Sequence, residues 1–426
     1  MTAQGSSGPA PSPWRMVRED ADFRRYWTSR VVSQAGDWVT YVVLPVLVYR
    51  VTGSTFLTAV ASGLAAAAYL VFGLFAGALG DRLDRRTVMV ACDAVSAVVV
   101  GSVPFAALFG RLWVAHLLVV AFAVQVLYTF FDGANFGALP VLVGQDRVAL
   151  ANAGVWTATS VLDILVPPLT GAAIAVVSPT NLLVLDALSF AGSAVLVSRI
   201  RRPMHDLERV AAAAGRGRLR REIAEGVRYL WEHAGLRTVT VVGVLQSAST
   251  GGMIALLVPW CDQVLHIGTK GWRFSAIYTA WGLGGLAASA LMPFLLRRLT
   301  ALRLTLLSAP ASAATGVVVA SATTWWTAVA AVLVWSIAGT AVSVGLVSYR
   351  QEASPERLLS RVNTAGRMLS WGIGGTGGAL AVGALASVAG VRATIFAVAC
   401  FGLGAAVVAW MSPLRRAGAA DGQARG

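Results

Sequence analysis

The chain has 426 residues, 57% of them hydrophobic and only 13% charged, about half the charge density of a soluble domain. That is about 243 apolar side chains, more than a polar shell could cover, so an ordinary cytosolic enzyme is excluded. At about 20 apolar residues per membrane-crossing helix they supply roughly twelve spans.

In chain order, the first 25 residues are polar and hold no apolar signal core. A cleaved leader is therefore not expected, and the first span would double as the insertion signal. Apolar runs then predict helices near 27–49, 56–80, 87–109, 112–138, 150–177 and 181–199. Residues 200–237 form the one long polar break, where Leu219, Ile223, Val227, Leu230 and Trp231 recur at helical spacing beside Arg220, Arg221, Glu222, Glu225 and Arg228. This pattern predicts an amphipathic helix on the membrane surface, in a tether between two halves. Six further spans follow near 238–263, 274–296, 302–322, 325–348, 360–388 and 392–412. The expected organisation is a tail over 1–26, a six-helix half over 27–199, a linker over 200–237, a second half over 238–412 and a tail over 413–426.

The formal charge of +14 would point to nucleic acid in a soluble chain; here its placement matters more. Arginines crowd before span 1, between spans 2 and 3, between 6 and 7, and after spans 8, 10 and 12, whereas the opposite loops hold Arg50, Arg111, Lys270, Arg273 and Arg392. The positive-inside rule then places both tails in the cytoplasm and assigns the charge to topology, with no nucleic-acid partner.

The halves repeat one another. Ser33 through Pro45 ends in Val42-Val43-Leu44-Pro45, and Ser247 through Pro259 ends in Leu256-Leu257-Val258-Pro259. Asp146-Arg147 before Asn152-Ala153-Gly154 returns as Glu356-Arg357 before Asn363-Thr364-Ala365-Gly366. A repeat with an even number of spans relates the halves by an axis along the membrane normal.

After span 2 comes Gly77-Ala78-Leu79-Gly80-Asp81-Arg82-Leu83-Asp84-Arg85-Arg86-Thr87. It resembles the signature loop between helices 2 and 3 of the major facilitator superfamily, matching at Gly77, Leu79, Asp81, Arg82 and Arg85, with Arg86 beside them. Asp84 replaces a usual glycine, a variant similar to the efflux branch of enterobactin and macrolide exporters. The resemblance implies an all-α integral membrane fold of twelve transmembrane helices in two pseudo-symmetric six-helix halves. It further implies that Gly77, Asp81, Arg82, Arg85 and Arg86 form a conformational latch. Two departures weaken the inference of antiport: span 4 holds no arginine, and the helix-5 motif reads Pro167-Pro168-Leu169-Thr170-Gly171. A bend at Pro167, Pro168 and Gly171 remains expected, because proline removes a backbone donor.

Every glutamate lies outside the predicted spans, but Asp37, Asp93, Asp132, Asp163, Asp186 and Asp262 do not. An acid at bilayer depth costs about 2.5–3.5 kcal/mol on insertion scales, so it is paired, faces a cavity or carries a proton. At 1.5 Å per residue, Asp37 lies about 15 Å into span 1 and Asp163 about 20 Å into span 5, both near the midplane. Asp93 and Asp186 fall on helices the family places at the periphery, where helix–helix hydrogen bonding is favoured over transport. Polar stripes surround the others: Arg30, Ser33, Gln34, Asp37 and Tyr41 on span 1; Gln125, Tyr128 and Asp132 on span 4; Trp156 and Asp163 on span 5; Gln246 on span 7; Arg367 and Trp371 on span 11. We take Asp37, Asp163 and Asp132 as candidate proton carriers and Arg367 and Arg30 as counter-charges. The candidate substrate cavity comprises Gln34, Tyr41, Gln125, Tyr128, Trp156, Gln246, Trp335 and Trp371, whose aromatics suit a bulky amphiphile.

No phosphate-binding loop, histidine cluster or cysteine spacing calls for a nucleotide, metal or other cofactor. The expected function is a proton-coupled exporter of an amphiphilic small molecule, monomeric in the cell-membrane bilayer. The alternative is a transporter-like protein without proton coupling, such as a lipid translocator or sensory scaffold.

Overall fold

The protein is described from a computed structural model that covers residues 12–80, 83–204, 216–355 and 358–412. Among these residues the elements are helices α1 Pro13–Glu19, α2 Ala21–Thr52, α3 Thr55–Gly80, α4 Arg85–Leu108, α5 Val114–Val143, α6 Val148–Val176 and α7 Pro179–Ser198, then α8 Arg216–Glu232. The chain continues through α9 Ala234–Gln263, α10 Trp272–Arg298, α11 Ala301–Ser321, α12 Trp325–Ala353, α13 Leu359–Arg367, a π-helical stretch Met368–Gly375 and α14 Thr376–Met411.

Local chemistry fixes the ends. The Asp20 carboxylate accepts from the Asp22 and Phe23 N–H groups at 3.1 Å, so α2 begins six residues before the apolar run that predicted it. Gly53, at φ 63°, closes the same helix in the left-handed conformation. Helix α1 was not expected within the polar tail. Ser12 caps it at Arg15 N, 3.2 Å away, and Pro13 occupies its first turn.

Among the described residues, eleven stretches are long and apolar enough to cross a membrane, the last being Arg361–Met411, with 51 residues. As one straight helix it would run about 77 Å, more than twice a bilayer core. Gly390 breaks it, with φ 78° and ψ 162°. Val382 and Val398 would stand about 24 Å apart on a straight helix, yet a Cβ at Gly252 would meet both, at 3.0 and 3.2 Å. The chain therefore reverses at Gly390, and the crossings number twelve. They form the two six-helix halves of the expected architecture, α2–α7 and α9–α14.

The halves meet along two seams. In one, α3 packs on the π-helical stretch and α14, with Gly63 against Ala379 and Gly372 against Leu70. In the other, α6 packs on α10, where Gly282 lies against the Ile164 carbonyl and the Pro168 ring. Small residues let backbones approach where lipid offers no hydrophobic drive between helices.

The apolar cores show how the halves are opened. At the arginine-poor end a single core runs through both: Val42–Tyr49, Leu117 and Leu183 join Leu256–Cys261, Phe274, Tyr278 and Trp335. At the arginine-rich end the cores are separate. Met16, Phe23, Tyr26, Met89, Phe131 and Met204 form one in the first half, while Val239, Leu302 and Leu346 form another in the second. Helix α8 joins the second half, with Leu230 buried against Leu236, Leu358 and Val362 and Glu225 2.5 Å from Arg361.

Candidate functional site

A cavity of ≈ 140 Å³ lies on the inner face of the first half, lined by Gln34, Asp37, Trp38, Thr40 and Tyr41 of α2, Ser62 of α3, and Gln125 and Tyr128 of α5. Ile254 of α9 reaches it from the other half. The α2 contribution follows from helical spacing, since positions 34, 37, 38 and 41 share one face.

Asp163 is reached from α2 rather than from its own helix. The Trp38 Nε1–H donates to its Oδ1 at 2.7 Å and the Gln34 side-chain amide at 3.3 Å. Trp38 in turn stands edge-on to Tyr41 at 5.3 Å and to Trp281 of α10 at 6.4 Å. An acid of α6 is thus joined, through one indole, to the opposite half.

Arg30 is buried, and its guanidinium lies 5.0 Å from the Phe131 ring centre. Its Nε has no hydrogen-bond partner among the described residues. Asp132 and Asp37 lie within its electrostatic reach, as do Asp93 and Asp163. One buried guanidinium therefore lies within electrostatic reach of four carboxyls. In a medium of low dielectric a single positive charge cannot balance four negative ones.

The arginine-poor end is sealed by polar contacts across the halves. The Tyr49 hydroxyl donates to Asp262 at 2.7 Å and accepts from Gln263 at 3.1 Å; Gln263 also donates to Thr55 at 3.2 Å. Arg50 Nε donates to the Thr269 hydroxyl at 3.1 Å, and the Ser275 hydroxyl donates to the Gly171 carbonyl. The proline pair of α6 sits in this seam, with Pro167 and Gly171 buried and Gly171 against Tyr278.

Other predicted residues lie elsewhere. Gln246 and Trp335, expected on the cavity wall, are packed inside the second half. Gln246 is 3% exposed and donates to Ser312 at 3.2 Å, and Trp335 lies beside Gly316. Trp156 and Trp371 are exposed and do not line the cavity. Arg367 forms no ion pair with an acid of the first half among the described residues; its guanidinium stands 5.7 Å from the Tyr69 ring centre, across the α3 seam. Of the latch residues, Asp81 and Arg82 lie outside the described residues, and Gly77 is in the last turns of α3. Arg85 donates to the Gly137 carbonyl of α5 at 2.7 Å and Arg86 to the Arg202 carbonyl at 2.6 Å. Asp84, where the signature has glycine, caps α4 by accepting from Thr87 N at 3.0 Å.

The sequence alone does not single out Trp38, Thr40 or Trp281 as site residues. The signal for Trp38 was its position directly after Asp37, one helical turn beyond Gln34. Nothing local marks Trp281, whose role comes from the packing of α10 against the first half.

Residues 26–370 match the sequence profile described as Major Facilitator Superfamily. The chain is 29% identical over 284 residues to the multidrug efflux pump Tap of Mycolicibacterium fortuitum, covering 64% of this chain and 68% of that protein. It is 25% identical over 224 residues to macrolide efflux protein A of Streptococcus pyogenes, covering 52% of this chain and 54% of the relative. The chain thus spans about half to two thirds of the length of these relatives. Among solved structures, a bacterial homolog to the human lysosomal transporter Spinster, inward-facing and unoccupied, superposes with a TM-score of 0.70 at 14% identity, covering 97% of this chain and 99% of that one. The nucleoside transporter NupG does so with a TM-score of 0.67 at 12% identity, covering 90% and 98%. At such identities the structural likeness carries the fold alone.

Proposed function

Because the chain belongs to the Major Facilitator Superfamily, and so is a transporter rather than an enzyme, we propose that it exports an amphiphilic small molecule across the cell membrane in exchange for protons. The observation that carries this reading is the polar cluster at the cavity: Asp37 lines it, Trp38 and Gln34 bond Asp163 from α2, and Arg30 is buried on the same helix. An acid at bilayer depth is costly unless it is paired, faces a cavity or carries a proton, so acids beside a cavity that fills and empties are suited to bind and release protons.

With the arginine-rich end in the cytoplasm, both tails are cytoplasmic and the cavity opens inward. The sealed end, held by Tyr49, Asp262 and Gln263, faces outward. Aromatic faces at Trp38, Tyr41 and Tyr128 beside Gln34 and Gln125 suit a bulky, partly polar substrate. The efflux relatives support the export direction and the amphiphilic class. Proton binding at Asp163 removes the charge that strengthens its bond from Trp38, and frees the indole to change its contact with Trp281. Loading of Asp37 and Asp163 is thereby linked to rocking of the halves. Gln246, Trp335, Trp156 and Trp371 are not needed for this step.

Inside-out proteoliposomes supplied with ethidium, or separately with a macrolide, test the reading. Uptake should accelerate when an imposed proton gradient acidifies the lumen, and Asp37→Asn and Asp163→Asn should lose the acceleration. Uptake insensitive to the gradient would refute proton coupling and favour the uncoupled translocator. Full coupling in both variants would remove these acids from the mechanism.

A further inference from the structure

The second half holds a buried cation with no anion beside it. Arg350, in the last turn of α12, is 3% exposed, and its Nε has no hydrogen-bond partner. No hydrogen bond or ion pair joins its guanidinium to any other described residue. The acids of this half lie elsewhere: Asp262 bonds Tyr49 at the opposite end, Glu352 is exposed, and Glu356 falls outside the described residues. The charged group within electrostatic reach of Arg350 is a second cation, Arg367. A buried charge left without a partner is strongly disfavoured.

Three elements close around this guanidinium. Its Cδ, Nε and Nη1 lie against Gly366 of α13, 2.9 Å from where a Cβ would stand. A Cβ at Gly243 of α9 would lie 3.5 Å from Arg350 Nη2 and 2.5 Å from the hydroxyl oxygen of Ser370, in the π-helical stretch. Sharing that point, the two polar atoms are at most about 6 Å apart, so one acceptor atom between them would stand about 3 Å from each. Ser370 is 4% exposed, and its hydroxyl has no partner either. Unpartnered buried polar atoms are uncommon, and each needs a cause. A guanidinium only donates, and a hydroxyl can donate, so both lack the same thing, an acceptor. A monatomic anion supplies acceptor and negative charge in one atom. Water would bring the acceptor without the charge, and a carboxylate would bring further atoms into a space bounded by two glycine backbones.

We propose that Arg350 and Ser370 form a binding site for a monatomic anion, chloride in the cell, enclosed by the backbones at Gly243 and Gly366. The bound anion accepts from the guanidinium and from the hydroxyl, and so ties α12 to the π-helical stretch beside α9. Gly372, two residues beyond Ser370, packs on Leu70 of α3. The site therefore stands directly behind the seam between the halves, and its occupant steadies the face that the second half presents there. It is separate from the acids of the first half, and the proposal holds whether or not transport is coupled to protons.

Thermal unfolding of the purified full chain in detergent tests this at constant ionic strength, with sodium gluconate replaced stepwise by sodium chloride. The midpoint should rise and saturate, by about 2–4 °C at a tenfold excess of chloride over its dissociation constant, and bromide should act as chloride does. Arg350→Met, which removes the charge and keeps an apolar stem, should abolish the dependence on chloride. Ser370→Ala should raise the half-saturating chloride concentration about tenfold. If neither variant folds, bromide soaked into crystals of the wild-type protein should give an anomalous scattering peak between Arg350 and Ser370. A midpoint indifferent to chloride, an unaltered chloride dependence in Arg350→Met, or no bromide at that place overturns the proposal. So does a response to formate that matches the response to chloride, which would assign the site to a carboxylate. A midpoint that moves with Glu356→Gln but not with chloride would make that residue the counter-charge and overturn it too.

Discussion

The two halves share a helix plan but are filled with different chemistry. The first holds Asp37, Asp93, Asp132, Asp163 and Asp186 within its spans, whereas the second holds Asp262 at the rim of α9. At related places on α2 and α9, Gly36 meets Asp186 and Ser189 while Gly252 meets Val382 and Val398. A hydroxyl-and-carboxyl layer on one side therefore answers to a valine layer on the other. The first half thus carries nearly all of the acids within the spans, and the second is comparatively apolar. A repeat that keeps its packing positions can exchange their polarity without changing the fold.

The largest test of this asymmetry is functional. Asp37→Asn should lower gradient-driven efflux by about 100-fold, as for removal of a positioned proton-transfer group. Gln246→Leu, at the heart of the second half, should leave the rate within about twofold, since it replaces a polar side chain by an apolar one of similar size. Equal losses in the two variants would erase the distinction between the halves.

Next comes the seal that joins them. Tyr49→Phe removes two cross-half hydrogen bonds, worth about 2 kcal/mol together, so the sealed-to-open ratio should fall about thirtyfold. Spin-label distances across the mouth would measure this. Linking Arg50→Cys to Thr269→Cys in a Cys400→Ser background should stop transport until the disulfide is reduced.

Stability offers a smaller contrast. Gly36→Ala should destabilise the protein by about 1–3 kcal/mol through overpacking against Asp186. Gly252→Ala should cost about 1 kcal/mol or less, because valine methyls can shift by a few tenths of an ångström. Thermal unfolding in detergent compares them directly, and equal shifts would mean that the carboxyl layer yields as easily as the valines. The smallest effect belongs to Arg361→Ala. It breaks a pair whose side chains are 31% and 34% exposed and should cost under about 1 kcal/mol in the same measurement.

Much of the architecture could be read from the amino acids because membrane helices declare themselves locally. Runs of apolar residues bounded by arginine, glycine and aspartate located the crossings, including the break before 392 that becomes the Gly390 reversal. What escaped was set by partners distant in sequence. Asp186 looked like a packing residue on a peripheral helix, and only the approach of α2 at Gly36 reveals its bond to a cavity-lining threonine. Gln246 and Trp335 looked like cavity residues by span number, yet helix rotation turned them toward Ser312 and Gly316. The capping role of Asp84 is local, three residues before Thr87, but an aspartate inside a charged signature loop has no pattern that separates a cap from a latch residue. Helix α1 was hidden by its brevity, since seven residues carry too little periodicity to register.

Met204 is buried in the first half, and α8, which begins at Arg216, is docked on the second through Leu230 and Glu225. Twelve residue steps connect these two anchors. Twelve peptide units cannot extend beyond about 40 Å, so Met204 and Arg216 stay within that distance of each other however the two halves are placed.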